Sequence, residues 1–176
     1  MKKLLPLLFL ALTSLTVSAR DWHTYKDPFK VFTVRFPAAP ATTVKDIPSK
    51  AGVLKAHFAV YNAVSDAEAN KKYLASITAV PKNRSRDIED TYDALMKGVK
   101  GSVRNNKATL IDARRIMMDG RPAMEAVMTT NNGTTIIRSK TFFVKDYHVG
   151  LMVYTSVKKK DNADCKQFFA SFALIK

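Results

Sequence analysis

The sequence predicts an α+β domain built on an antiparallel sheet. Three observations carry that prediction. Segments before residue 80 alternate apolar and polar residues with period two, one later stretch repeats apolar residues at three- and four-residue spacing, and four β-prone segments then follow at hairpin spacing. Runs of strands separated by isolated helices are the pattern of an α+β architecture.

The elements follow in chain order. Residues 1–19 have the layout of a secretory signal peptide. Lys2 and Lys3 give a positive start, Leu4 to Leu12 form an apolar stretch broken only by Pro6, and Val17-Ser18-Ala19 ends in a small-x-small cleavage pattern. The apolar core falls well short of the roughly 20 residues a spanning helix needs. Cleavage is expected after Ala19, and no cysteine lies there to carry a lipid anchor. Residues 20–176 are expected to form a single domain, since no repeat or low-complexity linker divides them.

Trp22 to Tyr25 reads as a short first strand. In Phe29 to Phe36, Phe32, Val34 and Phe36 share one side while Thr33 and Arg35 share the other. Pro37, Pro40 and Pro48 predict an irregular crossing. Val53 to Ala63 and Tyr73 to Val80 are further strands, and Ser65 to Lys72 between them is a short helix or a wide turn. Asp87 can cap a helix in which Ile88, Tyr92, Leu95, Val99 and Val103 form one apolar stripe, and Asn105 and Asn106 end it.

Four strands come next: Thr109 to Met118, Ala123 to Thr130, Thr135 to Val144 and Tyr147 to Ser156. Their turns are Asp119-Gly120-Arg121-Pro122, Asn131-Asn132-Gly133-Thr134 and Lys145-Asp146. Asp-Gly and Asn-Gly steps supply the positive φ that tight hairpins require. A closing helix, capped by Asp161 or Asn162, presents Cys165, Phe168, Phe169 and Phe172 on one face. Ile136-Ile137 and Phe142-Phe143 place apolar residues on both sides of their strand. That predicts an antiparallel sheet covered by helices on both faces, an α/β/α sandwich.

Three stretches resemble the PsbP-like domains, named after the extrinsic photosystem protein PsbP: "PFKVFTVRFPAAP", "DGRPAMEAV" and "FFASFAL". The resemblance implies an α/β/α sandwich around an antiparallel sheet, with many exported bacterial members. It also implies a binding or assembly role without catalysis. No metal-binding or partner-binding residue carries over position by position.

The residues give little support to an enzyme. His23, His57 and His148 lie on separate strands without metal-type spacing, and no Gly-x-Ser-x-Gly elbow, phosphate loop or dinucleotide fingerprint occurs. Cys165, the single cysteine, reads as a small buried hydrophobe and excludes an internal disulfide. Asp87, Asp90 and Asp93 lie near one face and could bind a cation weakly, but the favoured reading is an acidic first helical turn that complements the dipole. Glu125 is expected to pair with Arg114, Arg115 or Arg138 across the sheet. Neither cofactor nor metal site is expected.

Charge is the remaining signal. The chain carries 29 basic against 15 acidic residues, a formal net charge of +14, and residues 1–19 take only Lys2 and Lys3 of these. Such an excess favours anionic partners. For an exported chain, nucleic acid is less expected than an acidic protein or an anionic envelope component. Two basic loops lead into helix N-termini, where backbone N–H groups also favour anions: Lys82, Arg84 and Arg86, and Lys158, Lys159 and Lys160. Brought to one edge of the sheet they would make a composite anion site, with Trp22, Tyr25 and Tyr147 as an aromatic rim. The expected function is an exported, non-enzymatic binding or accessory protein of the bacterial envelope, periplasmic or secreted. The alternative is a carrier of a small apolar or acidic ligand between sheet and helices, for which Met117, Met118, Met124 and Met128 offer an adaptable interior.

Overall fold

The structure, a computed structural model, describes residues 21–49, 52–81, 87–130, 133–160 and 162–175. The signal-peptide residues, Lys82, Arg84, Arg86, Asn131, Asn132 and Asp161 lie outside that range.

Among the described residues, ten strands and two α-helices follow one another as β1 His23–Lys26, β2 Phe32–Phe36, β3 Ala41–Ser49, β4 Gly52–Asn62, β5 Asn70–Ala79, α1 Ile88–Asn105, β6 Thr109–Met118, β7 Arg121–Thr130, β8 Thr135–Val144, β9 Tyr147–Ser156, α2 Ala163–Ala170 and β10 Ala173–Leu174. Seven strands form a fully antiparallel sheet in the order β3-β4-β5-β9-β8-β7-β6. A small sheet, β1-β2-β10, is separate from it. Helix α1 lies in the connection from the interior strand β5 to the edge strand β6, so the β6–β9 meander folds back onto β5.

The hairpin turns behave as their residues dictate. Met118 pairs with Arg121, and both residues between them have positive φ, Asp119 at 51° and Gly120 at 73°. That is a two-residue turn whose twist matches the flanking strands. Lys145, at φ 52°, opens the equivalent turn between Val144 and Tyr147.

Alternation along β7 separates two cores. Ala123 faces a cluster with Phe142, Leu151, Val153, Phe32, Val34 and Phe36, into which α2 inserts Cys165 and Phe168. Met124 and Ala126 face the other way, against Tyr92, Leu95 and Val99 of α1. Asp87 caps α1 by accepting from the Asp90 N–H at 2.7 Å, and Asn162 caps α2 by accepting from the Cys165 N–H at 2.8 Å.

Three expectations are revised. The two helices do not cover the faces by themselves: the small sheet forms much of the cover on the α2 side. Of the crossing marked by Pro37, Pro40 and Pro48, the part from Ala41 is the nine-residue strand β3, exposed along its length and containing Pro48. Proline is tolerated there because β3 is an edge strand with only β4 as neighbour. The closing helix stops at Ala170, short of Phe172. The Ser171 N–H still bonds the Gln167 carbonyl at 2.9 Å, but the chain then straightens so that Ala173 and Leu174 pair with Thr33 and Phe32.

Candidate binding groove

The loop between β1 and β2 is built around one carboxylate. Asp27 is almost fully buried and accepts from the N–H groups of Phe29 (2.8 Å), Val31 (2.7 Å) and Phe32 (2.6 Å). Its own N–H donates to the Phe32 carbonyl, and the Lys30 N–H donates to its carbonyl. Lys30 is held at φ 57°, so the loop projects Phe29, Lys30 and Val31 in a fixed arrangement.

That loop forms one wall of a cavity of about 930 Å³. The β6–β7 turn, the end of β8 and the α2–β10 junction form the others. Val31, Met118, Tyr147, Phe169, Phe172 and Leu174 make an apolar floor, each partly buried against the core. Lys30, Arg121, Lys140 and Lys145 stand around it, and Asp119, the acid among the described lining residues, is paired with Arg121 at 3.3 Å. Lys140 lies 5.3 Å from the Phe169 ring centroid, which places a cation over the apolar floor.

Lys82, Arg84 and Arg86 lie outside the described residues, so only the strand that precedes them and the second loop can be placed. β5 ends at Ala79 opposite Tyr147, whereas Lys158 follows the other end of β9, roughly 30 Å away along a strand of this length. Lys158 and Lys160 are exposed. Lys159 is committed elsewhere: its Nζ donates to the carbonyls of Asp66 (3.0 Å) and Glu68 (2.9 Å) and ties down the β4–β5 connection. That connection is a turn, without a helix. Of the expected aromatic rim, Tyr147 lines the groove, Trp22 is buried edge-on to Tyr73, and Tyr25 packs on Phe32 and Phe36.

Several other charged groups pair with one another. Glu125 pairs with Arg114 and approaches Lys140 at 3.8 Å, while Arg115 turns to Glu89 at 2.7 Å. Among the described residues, no cluster of three or more His, Cys, Asp or Glu could hold a metal ion. His23 is exposed, and His57 stacks edge-on with Phe29.

His148 lies under α1 near Gly98, with its Nε2 at 2.6 Å from the Thr141 hydroxyl. Desolvation pushes its pKa down from 6.5 to about 4. The folded state therefore releases a proton that the unfolded chain keeps between those values. This contribution to stability is fully present above about pH 6.5 and is lost as the pH falls through about 4. The loss should reach about 3 kcal/mol at most. Urea unfolding of wild type and of His148→Asn at several pH values checks this. The variant should be less stable at neutral pH and show a shallower decline on acidification; parallel declines would contradict the assignment.

No protein-family model matches the chain, and no curated protein matches it. Solved structures do. The chain is similar to the solution structure of cyanobacterial PsbP (CyanoP) from Synechocystis sp. PCC 6803, with a TM-score of 0.58 and 13% identity over 90% of this chain and 95% of that one. It is also similar to the crystal structure of the Saccharomyces cerevisiae Ran-binding protein Mog1p, with a TM-score of 0.52 and 11% identity over 90% of this chain and 97% of that one. Among the described residues, no helix is long and apolar enough to cross a membrane. The three stretches that carried the resemblance fall on the Asp27 loop with β2, on the β6–β7 turn with β7, and on the α2–β10 junction. With most of both chains superimposed, the protein has a PsbP-like fold.

Proposed function

We propose that the chain is an exported, non-enzymatic binding or accessory protein of the bacterial cell envelope. It engages an acidic protein or another anionic envelope component, periplasmic or secreted, through the groove between β8 and α2. The observation that carries this reading is the groove itself, in which four cations surround an apolar floor. Burying apolar surface gives affinity, while the cations steer and select an anionic partner. The layout of residues 1–19 supports export. A fold shared with a protein named as Ran-binding supports a binding role at the level of fold.

Lys158 and Lys160 extend the cationic surface. Lys159 is excluded from the contact set because its ammonium already serves two carbonyls. Solubilised envelope from the same cell, passed over the immobilised protein at rising salt, tests the reading. One partner should remain bound well above physiological ionic strength; release of every component at modest salt would reduce the charge to diffuse attraction. Lys158→Gln and Lys160→Gln should weaken capture at intermediate salt. Lys159→Gln should lower the melting temperature and leave capture intact.

A second reading, carriage of a small apolar or acidic ligand, is favoured by the concavity of the same site and by Met117 and Met118 in its wall. Extraction of the purified protein followed by mass spectrometry should then yield one compound at stoichiometric amount. An empty protein would count against it.

A further inference from the structure

The groove continues beyond Phe169. A second cavity of about 300 Å³ opens beside it, and Lys140 and Phe169 line both. The second cavity runs back along α2 as far as its cap Asn162, and Arg138, Lys160 and Lys166 stand on its walls. Together the two form one trough from the Asp27 loop to the start of α2. Cations recur along its whole length, on the sheet wall from β7 and β8 and on the opposite wall from α2 and the segment before it. The acids among its described lining residues, Asp119 and Glu125, already face basic partners.

The distribution of charge selects the occupant. A single-headed amphiphile needs cations at one end and neutral walls elsewhere, whereas here they run from end to end. A lipid surface is too flat to enter a trough. A polymer of phosphates or sugar acids would match the cations but would leave the floor of Phe169, Phe172 and Leu174 without apolar groups to cover it. An extended polypeptide satisfies both demands, because successive side chains point to opposite sides and repeat every ~7 Å along each side. We propose that an extended acidic segment of a partner protein lies along this trough, its carboxylates on the wall cations and its apolar side chains on the Phe169–Leu174 floor. The proposal rests on the reading of the chain as a binder of an acidic protein, and adds the site and the form of the bound segment.

Fluorescence anisotropy with protein expressed from the full chain tests it. The probe is a labelled peptide of alternating glutamate and leucine, compared with polyglutamate of equal charge and with phosphatidylglycerol vesicles. The alternating peptide should bind, and polyglutamate should bind at least roughly tenfold more weakly. Lys166→Glu at one end and Lys145→Glu at the other should each weaken the peptide by roughly tenfold. Lys97→Glu, on α1 over the opposite face, should leave it unchanged, with thermal unfolding confirming that each variant is folded. Equal binding of polyglutamate, indifference to both trough variants, or preference for vesicles would each overturn the proposal. If the peptide fails while envelope capture persists, this inference falls and the binding reading stands; if capture fails too, both fall.

Discussion

Replacing Asp27 by alanine should destabilise the protein by about 3–5 kcal/mol, given three lost hydrogen bonds to a charged acceptor at ~1.5–3 kcal/mol each and partial rehydration of the groups left behind. The carboxylate gathers the N–H groups of Phe29, Val31 and Phe32 at 2.6–2.8 Å in a site with almost no solvent access. Alanine leaves those donors facing a void. Asparagine retains one acceptor oxygen and should lose less. The loop also carries Phe29, Lys30 and Val31 into the groove wall, so capture of an anionic partner should weaken in the alanine variant even where it remains folded. Urea unfolding and salt-graded capture measure the two effects separately. A near-neutral alanine variant would show that the loop is held by other contacts.

Replacing Phe168 by alanine should cost a similar amount, about 3–5 kcal/mol. Its ring is fully buried and lies 5.3–5.6 Å from the centroids of Phe36, Tyr73 and Phe169. Those three belong to the small sheet, the large sheet and α2, so this one side chain joins the three layers on that side of the molecule. The cavity left by alanine cannot close without moving α2, on which one wall of the trough is built. Leucine should retain most of the packing and cost about 1–2 kcal/mol. Equilibrium unfolding in urea checks both values. A loss under about 1 kcal/mol for alanine would mean that α2 is not anchored through this residue.

The legibility of the fold varied with the locality of the physics. The meander from Thr109 to Ser156 could be read directly, because each of the three connections between its strands carries turn residues with their own chemistry. Asp119-Gly120 adopts the double positive φ that such a dipeptide favours. Helix α1 was equally clear from its stripe and from Asp87. β3 was not, because an edge strand exposed on both sides shows no apolar alternation, and Pro48 within it and Pro37 and Pro40 before it imitate a loop. Only its pairing with β4 makes it a strand. β10 is two residues long and owes its existence to β2, with a further bond from the Ile175 N–H to the Val31 carbonyl.

The candidate site was less legible. Its parts come from the β1–β2 loop, the β6–β7 turn, β8 and the end of α2, and no local pattern ties Lys30 to Lys145 or Leu174. The basic composition showed that cations were in excess but not where they converge. Lys158, Lys159 and Lys160 are indistinguishable in sequence, and only the position of the Asp66 and Glu68 carbonyls makes the middle one structural. Asp27 carries no signal of its role in the sequence, because the collection of three N–H groups depends on how that loop closes.

Salt-graded capture by wild type and by an Arg121→Glu/Lys140→Glu/Lys145→Glu variant, matched for folding by circular dichroism, decides whether the groove is the interface. The groove account predicts a partner that wild type holds above physiological salt and that the variant releases at low salt. Retention of the same partner by the variant at the same salt would place the interface elsewhere on the molecule and contradict the account.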